Sequence, residues 1–265
     1  LQGRAGTTHV LKVRAPTVSP SVLRVDPALP AAPIAGAKLV LPGPKLDGAS
    51  LFDLIEAENV TVSAGVPTIW QGLLAYMEQH GLRFSTMRRT GVGGSAMPQA
   101  LIAKFVDDYR VEVRHGWGMT ETTAVATMGT LTPEWTRQPA AAQIDHLAKQ
   151  GKTVHGVSIK LVDESGQDIP RDGQTQGELM VRGHWILSSY LKGEQSPLVN
   201  GWFPTGDIAT IDAHGTMQIR DRTKDVIKSG GEWVSSVELE NAIARHPSVY
   251  EVAVIGIPDP RWEER

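Results

Sequence analysis

Short apolar strands alternate with amphipathic helices between residues 37 and 120, and this alternation constrains the fold more than any other feature of the sequence. Strands are predicted over residues 37–41, 60–65, 87–92 and 111–114. Apolar residues recur at helical spacing between them, where Pro67 and Pro98 suit the first turn of a helix and Ser50 suits an N-cap. The alternation predicts a largely parallel α/β sheet, in which ligands bind beyond the carboxyl ends of the strands.

The spacing of apolar residues changes to a period of two after residue 152, which indicates a β-rich region. Strands are predicted there over residues 157–162, 177–181, 208–211, 217–220 and 252–257, with a hairpin turn at His214-Gly215. Helices are predicted over residues 140–149 and after Ser235, because Ser235 and Glu238 have the spacing of a capping box.

The predicted fold class is therefore α/β, with a parallel α/β sheet and a β-rich subdomain followed by the start of a small α+β C-terminal domain. We expect a partial large domain over residues 35–222, divided into an α/β part at 35–131 and a β-rich subdomain at 153–222. Residues 223–265 are expected to be a truncated small domain. Residues 1–34 contain several prolines and no sustained periodicity, so this segment stays unassigned or divergent.

Composition excludes several classes of protein. The formal net charge of −3 and the lack of a long basic run argue against a nucleic-acid surface. No apolar stretch approaches the roughly 20 residues that span a bilayer, and residues 1–15 lack the apolar region of a secretory signal. The absence of cysteine excludes disulfides, thiolate metal sites and cysteine nucleophiles, and it fits a cytoplasmic location.

The segment RHGWGMTET at residues 114–122 follows a predicted strand and carries the first candidate site. Glycines in this turn let the backbone approach a ligand closely. The Thr120 hydroxyl can donate to a phosphate oxygen, and the Glu121 carboxylate can hold Mg²⁺ opposite the same phosphate. The alternative is a simple connection in which both side chains face solvent.

Two further polar segments lie in the second half of the chain. In WFPTGD (202–207), the Asp207 carboxylate at a tight turn can accept both hydroxyls of a ribose, or it can bind backbone N–H groups of its own turn. In DRTKDVIKSGGE (221–232), lysines and an arginine around a double glycine suit a phosphate-rich ligand. The alternative for this segment is a solvated, mixed-charge connection between strands.

Together, in this order and spacing, the three segments resemble the acyl-adenylate-forming (AMP-binding) superfamily, over residues 35–264. The segments GAKLVLPGP (36–44), SAGVPTIW (63–70) and KSGGEWV (228–234) are similar to its medium- and long-chain fatty-acyl-CoA synthetase branch. The resemblance implies an AMP-forming ligase with ATP, Mg²⁺ and coenzyme A as cofactors. It implies a fatty acid or similar carboxylate as substrate, and it leaves a homodimer open.

The resemblance also implies roles for single positions. Thr120 and Glu121 match the catalytic AMP-phosphate ligand and the Mg²⁺ ligand, and Lys224 falls at the hinge between large and small domains. Asp207 matches the ribose ligand and Arg222 a ribose and phosphate contact. The remaining matches are the adenine and acyl-carbonyl strip Gly94, Ser95 and Ala96, the adenine-facing His115, Gly116 and Trp117, and the CoA-channel residues Lys228, Ser229, Gly230, Gly231 and Glu232.

Two family features have no match in this chain. The Ser/Thr/Gly-rich phosphate loop upstream of GAKLVLPGP has only a faint echo in Gly6-Thr7-Thr8, and the catalytic lysine near the family's C-terminus lies beyond Arg265. Residues 25–30 also differ from the acyl-pocket segment of the family. We therefore expect the chain alone to release little pyrophosphate from ATP and a fatty acid. Another acyl- or aryl-CoA ligase, a luciferase-like enzyme and a non-catalytic nucleotide-binding remnant stay open as alternatives.

Overall fold

The chain folds as two units, residues 1–148 and residues 149–265, in a computed structural model. The structure describes residues 9–12, 36–193, 195–244, 246, 248–249 and 252–265. Gly6-Thr7-Thr8 and residues 25–30 lie outside this part of the chain. The boundary predicted between residues 222 and 223 stays a prediction.

A largely parallel sheet forms the centre of the first unit. Its strands are β1 (His9–Lys12), β2 (Lys38–Val40), β3 (Val62–Gly65), β4 (Arg89–Val92), β5 (Glu112–Trp117) and β6 (Thr127–Met128). They lie in the order β2-β1-β3-β4-β5-β6; the pairs from β2 to β5 are parallel, and β6 is antiparallel to β5. This arrangement confirms the predicted α/β class. Strand β1 falls in the segment that the sequence left unassigned.

Four helices in the described part of the first unit accompany this sheet. They are α1 (Gly48–Ala57), α2 (Pro67–Gln79), α3 (Gln99–Ala103) and α4 (Ala140–Ala148). Pro67 occupies the first turn of α2 as predicted, whereas Pro98 is the N-cap of α3. The buried rings of Trp70 and Phe105 meet edge to face in the core, with their centroids 6.0 Å apart.

The predicted N-cap Ser50 is wrong, because Asp47 caps α1. The Asp47 side chain accepts a hydrogen bond of 2.9 Å from the Ser50 backbone N–H. Asp47 has the extended backbone typical of an N-cap, and Ser50 is already inside the first turn. Ser50 therefore supplies an N–H group that needs an acceptor.

Antiparallel strands dominate the second unit. The described strands of this unit are β7 (Lys152–Thr153), β8 (Val157–Val162), β9 (Gly177–Gly183), β10 (Phe203–Ile211), β11 (Met217–Arg222), β12 (Ile227–Ser229), β13 (Glu232–Val234), β14 (Pro258–Asp259) and β15 (Glu263–Glu264). One sheet has the order β11-β10-β9-β8, and a second has the order β13-β12-β15-β14. The predicted β-rich region is therefore present.

Helix α5 (Ser236–Ala244) follows β13, and its N-terminus has half of the predicted capping box. Ser235 Oγ accepts from the Glu238 N–H at 3.1 Å. The Glu238 carboxylate pairs with Arg220. Leu239 and Ile243 of this helix are 40% and 44% exposed.

The strand predicted over residues 252–257 is wrong, since these residues have no strand structure. The Val254 N–H donates to Glu240 Oε1 at 2.9 Å, so a side chain supplies its acceptor. Ile255 and Ile257 are 73% and 60% exposed. An apolar run forms a strand only where a neighbouring strand can pair with it and a core can bury its side chains.

Among the described residues, no helix is both long enough and apolar enough to cross a membrane.

Candidate functional site

Three parallel strands of the first unit end side by side. Gly65 of β3 pairs with Val92 of β4, and Val92 pairs with His115 of β5, which continues for two more residues. The segments that follow these strands therefore begin near one edge of the sheet. We call the segment after β4, Gly94 to Ala96, the strip. Carboxyl edges of parallel strands are where open α/β sheets bind ligands.

The strip lies in close contact with its neighbours and is exposed along its outer side. Gly94 has φ +86°, and a Cβ placed there would lie 3.2 Å from Val66 Cγ1. A Cβ at Gly93 would lie 3.3 Å from the Gly116 carbonyl oxygen. Glycines let the strip run between the ends of β3 and β5, with its backbone available to a ligand.

His115 connects the strip to helix α4. Its ring is 1% exposed, with Nδ1 2.9 Å from the Ala148 carbonyl oxygen and Nε2 3.4 Å from the Ser95 carbonyl oxygen. Burial holds the pKa of His115 below its usual value, and the two carbonyls raise it by less. The resemblance implies an adenine-facing turn at this position; the structure directs the ring at two protein carbonyls.

The turn predicted to start at Gly116 starts two residues later in the structure, at Gly118. Gly116 and Trp117 belong to β5, because they pair with Met128 and Thr127 of β6. The turn itself starts at Gly118, where a Cβ would lie 2.1 Å from the Ala124 carbonyl oxygen. The antiparallel partner strand, which the sequence analysis missed, extends β5 to this point.

Thr120 and Glu121 lie in a single 3₁₀ turn, Thr120–Thr122, that begins two residues after this glycine. The Thr122 hydroxyl accepts from the Met119 N–H at 2.9 Å and is 3.1 Å from the Met119 carbonyl. Thr123 and Ala124 then take left-handed φ values of 52° and 75°. Thr120 is exposed and Glu121 is half-buried, so the fixed turn presents a hydroxyl and a carboxylate in adjacent positions.

In the second unit, Asp207 and Arg222 form a cross-strand ion pair. They face each other in the register of β10 and β11, and Arg222 Nε is 3.0 Å from Asp207 Oδ1. Asp207 is 3% exposed, whereas half of the Arg222 side chain is accessible. Asp207 lies inside β10 and not at the predicted tight turn, although Gly206 before it has φ +72°.

Asp221 is a structural residue that the sequence analysis missed. It is 3% exposed and accepts from the Ser236 N–H at 2.6 Å and the Ser236 hydroxyl at 2.8 Å. It thereby attaches the end of β11 to the start of α5. An aspartate directly before Arg222 in a charged segment gave no sequence signal of this role.

The predicted CoA-channel segment forms a tight hairpin between β12 and β13. Gly230 and Gly231 take left-handed φ values of 60° and 86° at its tip. The Lys228 ammonium lies 2.7 Å from Glu164 Oε1, and this hydrogen bond raises the pKa of Lys228. Beside the hairpin is an open cavity of about 520 Å³, lined by Ser229, Gly230, Glu232, Trp262 and Arg265.

The predicted hinge residue Lys224 is exposed in the turn between β11 and β12. The Asp225 and Val226 N–H groups donate to the Arg222 carbonyl at 3.0 and 2.9 Å. The structure thus brings the strip close to His115 in the first unit, and Asp207 close to Arg222 in the second. No group of three or more metal-binding side chains occurs in the described ranges.

Two family models match the chain. The model described as "AMP-binding enzyme" matches residues 26–191. The model described as "AMP-binding enzyme C-terminal domain" matches residues 238–265.

Named relatives and a solved structure agree with these models. A 3-methylmercaptopropionyl-CoA ligase from Ruegeria lacuscaerulensis is 49% identical over 88% of this chain, and a medium-chain-fatty-acid–CoA ligase from Ectopseudomonas oleovorans is 46% identical over 88%. The chain spans 43% of the length of each. The o-succinylbenzoate CoA synthetase of Bacillus subtilis, in complex with its acyl-adenylate, matches 99% of this chain and 50% of its own, at 26% identity and a TM-score of 0.78.

Proposed function

The chain belongs to the AMP-binding enzyme family, as the three segments predicted, and we propose that it is part of an acyl-CoA ligase. In the first half-reaction the carboxylate of the acid attacks the α-phosphate of ATP, giving an acyl-adenylate and pyrophosphate. In the second, the CoA thiol attacks the acyl carbonyl carbon and AMP leaves.

The observation that carries this proposal is the meeting of three strand ends in the first unit. The strip offers glycine backbone between Val66 and Gly116, and the turn after β5 holds Thr120 and Glu121 beside each other. Backbone close to a flat base, next to a hydroxyl and a carboxylate, suits a nucleotide bound together with a cation.

We assign the phosphate end of the site to the 3₁₀ turn. The Thr120 hydroxyl would donate to the phosphate of AMP, and the Glu121 carboxylate would hold Mg²⁺. Mg²⁺ commonly binds through one or two carboxylates plus substrate phosphates, and Glu121 would supply one such carboxylate. When bound, Mg²⁺ would neutralise charge that develops on the phosphoryl oxygens.

The second unit would supply the ribose and CoA contacts. Arg222 Nε lies 3.0 Å from one carboxylate oxygen of Asp207, and this ion pair orients the carboxylate. Asp207 would accept the ribose hydroxyls, and Arg222 would contact ribose or phosphate. The hairpin from Lys228 to Glu232 would line the CoA channel, with the hinge at Lys224.

The acyl group is proposed to be a fatty acyl chain. The medium-chain ligase at 46% identity supports this assignment. The 3-methylmercaptopropionyl-CoA ligase at 49% identity favours a second candidate, a short acyl group that carries a thioether.

A chimeric ligase tests both assignments. The matching 233 residues of the Ruegeria lacuscaerulensis enzyme would be replaced with the corresponding residues of this chain. Acyl-CoA formation would be measured with octanoate, palmitate and 3-methylmercaptopropionate, each with ATP, Mg²⁺ and CoA. We expect thioester formation, and we expect Glu121→Gln and Thr120→Ala to lower kcat about 100-fold or more.

A folded chimera that makes no thioester with any acid would contradict the ligase proposal. Turnover of 3-methylmercaptopropionate alone would favour the thioether acid over the fatty acid. A folded chimera that binds AMP without turnover would favour the non-catalytic nucleotide-binding alternative. The low pyrophosphate release expected of the chain alone, the homodimer and the cytoplasmic location stay predictions.

A further inference from the structure

The buried ring of His115 faces more acceptors than a neutral imidazole can serve. Its two nitrogens point at the carbonyl oxygens of Ala148 and Ser95, at 2.9 and 3.4 Å. A neutral imidazole has one N–H, so it donates to one carbonyl at a time. The doubly protonated ring would donate to both, but burial disfavours that charge.

The two acceptors belong to parts of the fold with different constraints. Ala148 is the last residue of α4, a helix of nine residues that packs against β5. Ser95 is the middle residue of the exposed strip. It lies between Gly94, which has a left-handed φ, and Ala96. The ring therefore joins a helix end to the backbone that would contact the nucleotide.

The distances identify which contact is formed in the ligand-free chain. A separation of 2.9 Å is ordinary for an N–H···O hydrogen bond, whereas 3.4 Å is longer than the usual range. The shorter contact assigns the ring proton of the ligand-free chain to Nδ1, which then donates to the Ala148 carbonyl. Hydrogen bonds at ligand-free sites are often long and shorten only in the bound complex.

We infer that His115 is a positioning residue that fixes the strip through the Ser95 carbonyl. With nucleotide bound, the single ring proton resides on Nε2 and is donated to Ser95; without nucleotide it resides on Nδ1 and is donated to Ala148. The ring keeps one proton in both states and touches no substrate atom. This inference rests on the proposed nucleotide site at the strip.

Two substitutions separate the two ring contacts. The side-chain amide of His115→Asn can donate from near the Nδ1 position, toward Ala148. The amide of His115→Gln can donate from near the Nε2 position, toward Ser95. AMP affinity is measured by calorimetry for the wild-type chain and both variants. We expect His115→Gln to bind AMP within about twofold of wild type and His115→Asn to bind about 5- to 10-fold more weakly.

A spectroscopic measurement addresses the wild-type chain directly. Imidazole ¹⁵N signals distinguish a protonated from an unprotonated ring nitrogen, and the His115 signals are assigned by their loss in His115→Gln. We expect the protonated nitrogen to change from Nδ1 to Nε2 when AMP saturates the chain. Because this measurement uses the wild-type chain, it tests the role of His115 even if His115→Asn is too unstable for a binding measurement.

The failures of the two proposals differ. A wild-type chain that does not bind AMP would overturn the proposed nucleotide site, and this inference with it. A wild-type chain that binds AMP while the ring proton stays on Nδ1, or while both variants bind AMP equally, would overturn the role of His115 alone.

Discussion

At the scale of single residues, the buried carboxylate of Asp207 is the group on which nucleotide affinity should depend most. Asn has nearly the same shape but no charge, so Asp207→Asn removes the ion pair with Arg222 while the strand stays packed. Hydrogen bonds to a charged group contribute about 1.5 to 3 kcal/mol. We predict that Asp207→Asn weakens AMP binding about 10- to 100-fold in a calorimetric titration.

Asp168→Asn is the matched control for this substitution. Asp168 pairs with Lys160 on the surface of the same unit, with 67% of its side chain exposed. Exposed pairs of this kind contribute little, so AMP affinity should not change. Equal affinities for the two variants would remove Asp207 from the site.

The buried ring of His115 gives a second prediction, on stability. Its pKa is lowered by burial, so the unfolded chain binds protons at this residue more readily than the folded chain. The free energy of unfolding therefore falls as pH drops below about 6.5, and the contribution of this residue is complete above that value. Urea unfolding of wild type and His115→Gln, from about pH 8 to about pH 5, measures it.

The difference in unfolding free energy between these two proteins isolates His115 from the other histidines. Wild type should lose stability relative to His115→Gln as the pH falls. A difference that stays constant over this range would contradict the lowered pKa.

The residue types in the sequence predicted some of the site and capping residues and missed others. Thr120 and Glu121 stand out because a hydroxyl and a carboxylate follow glycines after a strand. The cap at Asp47 was missed because Ser50 is an equally good capping residue, and only the backbone conformation separates them. The role of Asp221 depends on Ser236, fifteen residues further along, and short-range patterns carry no signal of that contact.

At the scale of elements, the turn after β5 depends on Gly118. A glycine is needed there because the backbone of Ala124 comes too close for any side chain, and not because of a left-handed φ. Gly118→Ala would place a Cβ 2.1 Å from the Ala124 carbonyl oxygen, which is backbone and cannot rotate away. We predict a loss of about 1 to 3 kcal/mol of unfolding free energy, measured in urea. AMP binding should weaken with it, because Thr120 and Glu121 follow directly.

Gly72→Ala provides the control in a helix of the same unit. Gly72 is exposed within α2, and a Cβ there meets nothing within 4 Å. Alanine has the higher helix propensity, so this variant should gain up to about 1 kcal/mol. A Gly118→Ala protein as stable as the Gly72→Ala protein would contradict the close approach of Gly118 to the Ala124 carbonyl.

The junction between β11 and α5 gives the next prediction. In the wild-type chain the two oxygens of the Asp221 carboxylate accept from the Ser236 N–H, the Ser236 hydroxyl and the Arg222 N–H. Asp221→Asn leaves a single acceptor oxygen for these three donors. We predict a loss of about 2 to 3 kcal/mol in urea unfolding. Asp225→Asn, on an exposed turn nearby, should change stability by less than about 0.5 kcal/mol. Similar losses for the two variants would contradict the junction.

Elements with strong local periodicity were predicted well, and elements that depend on distant partners were not. The parallel strands and helices between residues 37 and 120 were predicted because each carries its own apolar pattern. Strand β1 has only four residues and is fixed by β2 and β3 on either side. Residues 252–257 have the composition of a strand but do not form one, and among them Ile257 exchanges backbone hydrogen bonds with Arg265.

At the scale of the whole molecule, the chain folds as two units, each with its own candidate ligand-binding residues. The first unit holds the strip and the turn with Thr120 and Glu121, and the second holds the Asp207–Arg222 pair and the hairpin at Gly230. The family was predicted from three ordered segments, because each alone has an ordinary structural explanation. Chain length and polarity of the acyl group had no comparable segment to predict them.

Titration of the purified chain with a non-hydrolysable acyl-adenylate analogue, followed by calorimetry, tests whether the chain holds an adenylate site. We expect saturable binding at one site per chain, competed by AMP and weakened by Asp207→Asn but not by Asp168→Asn. Binding that AMP does not displace, or no binding by a folded chain, would contradict it.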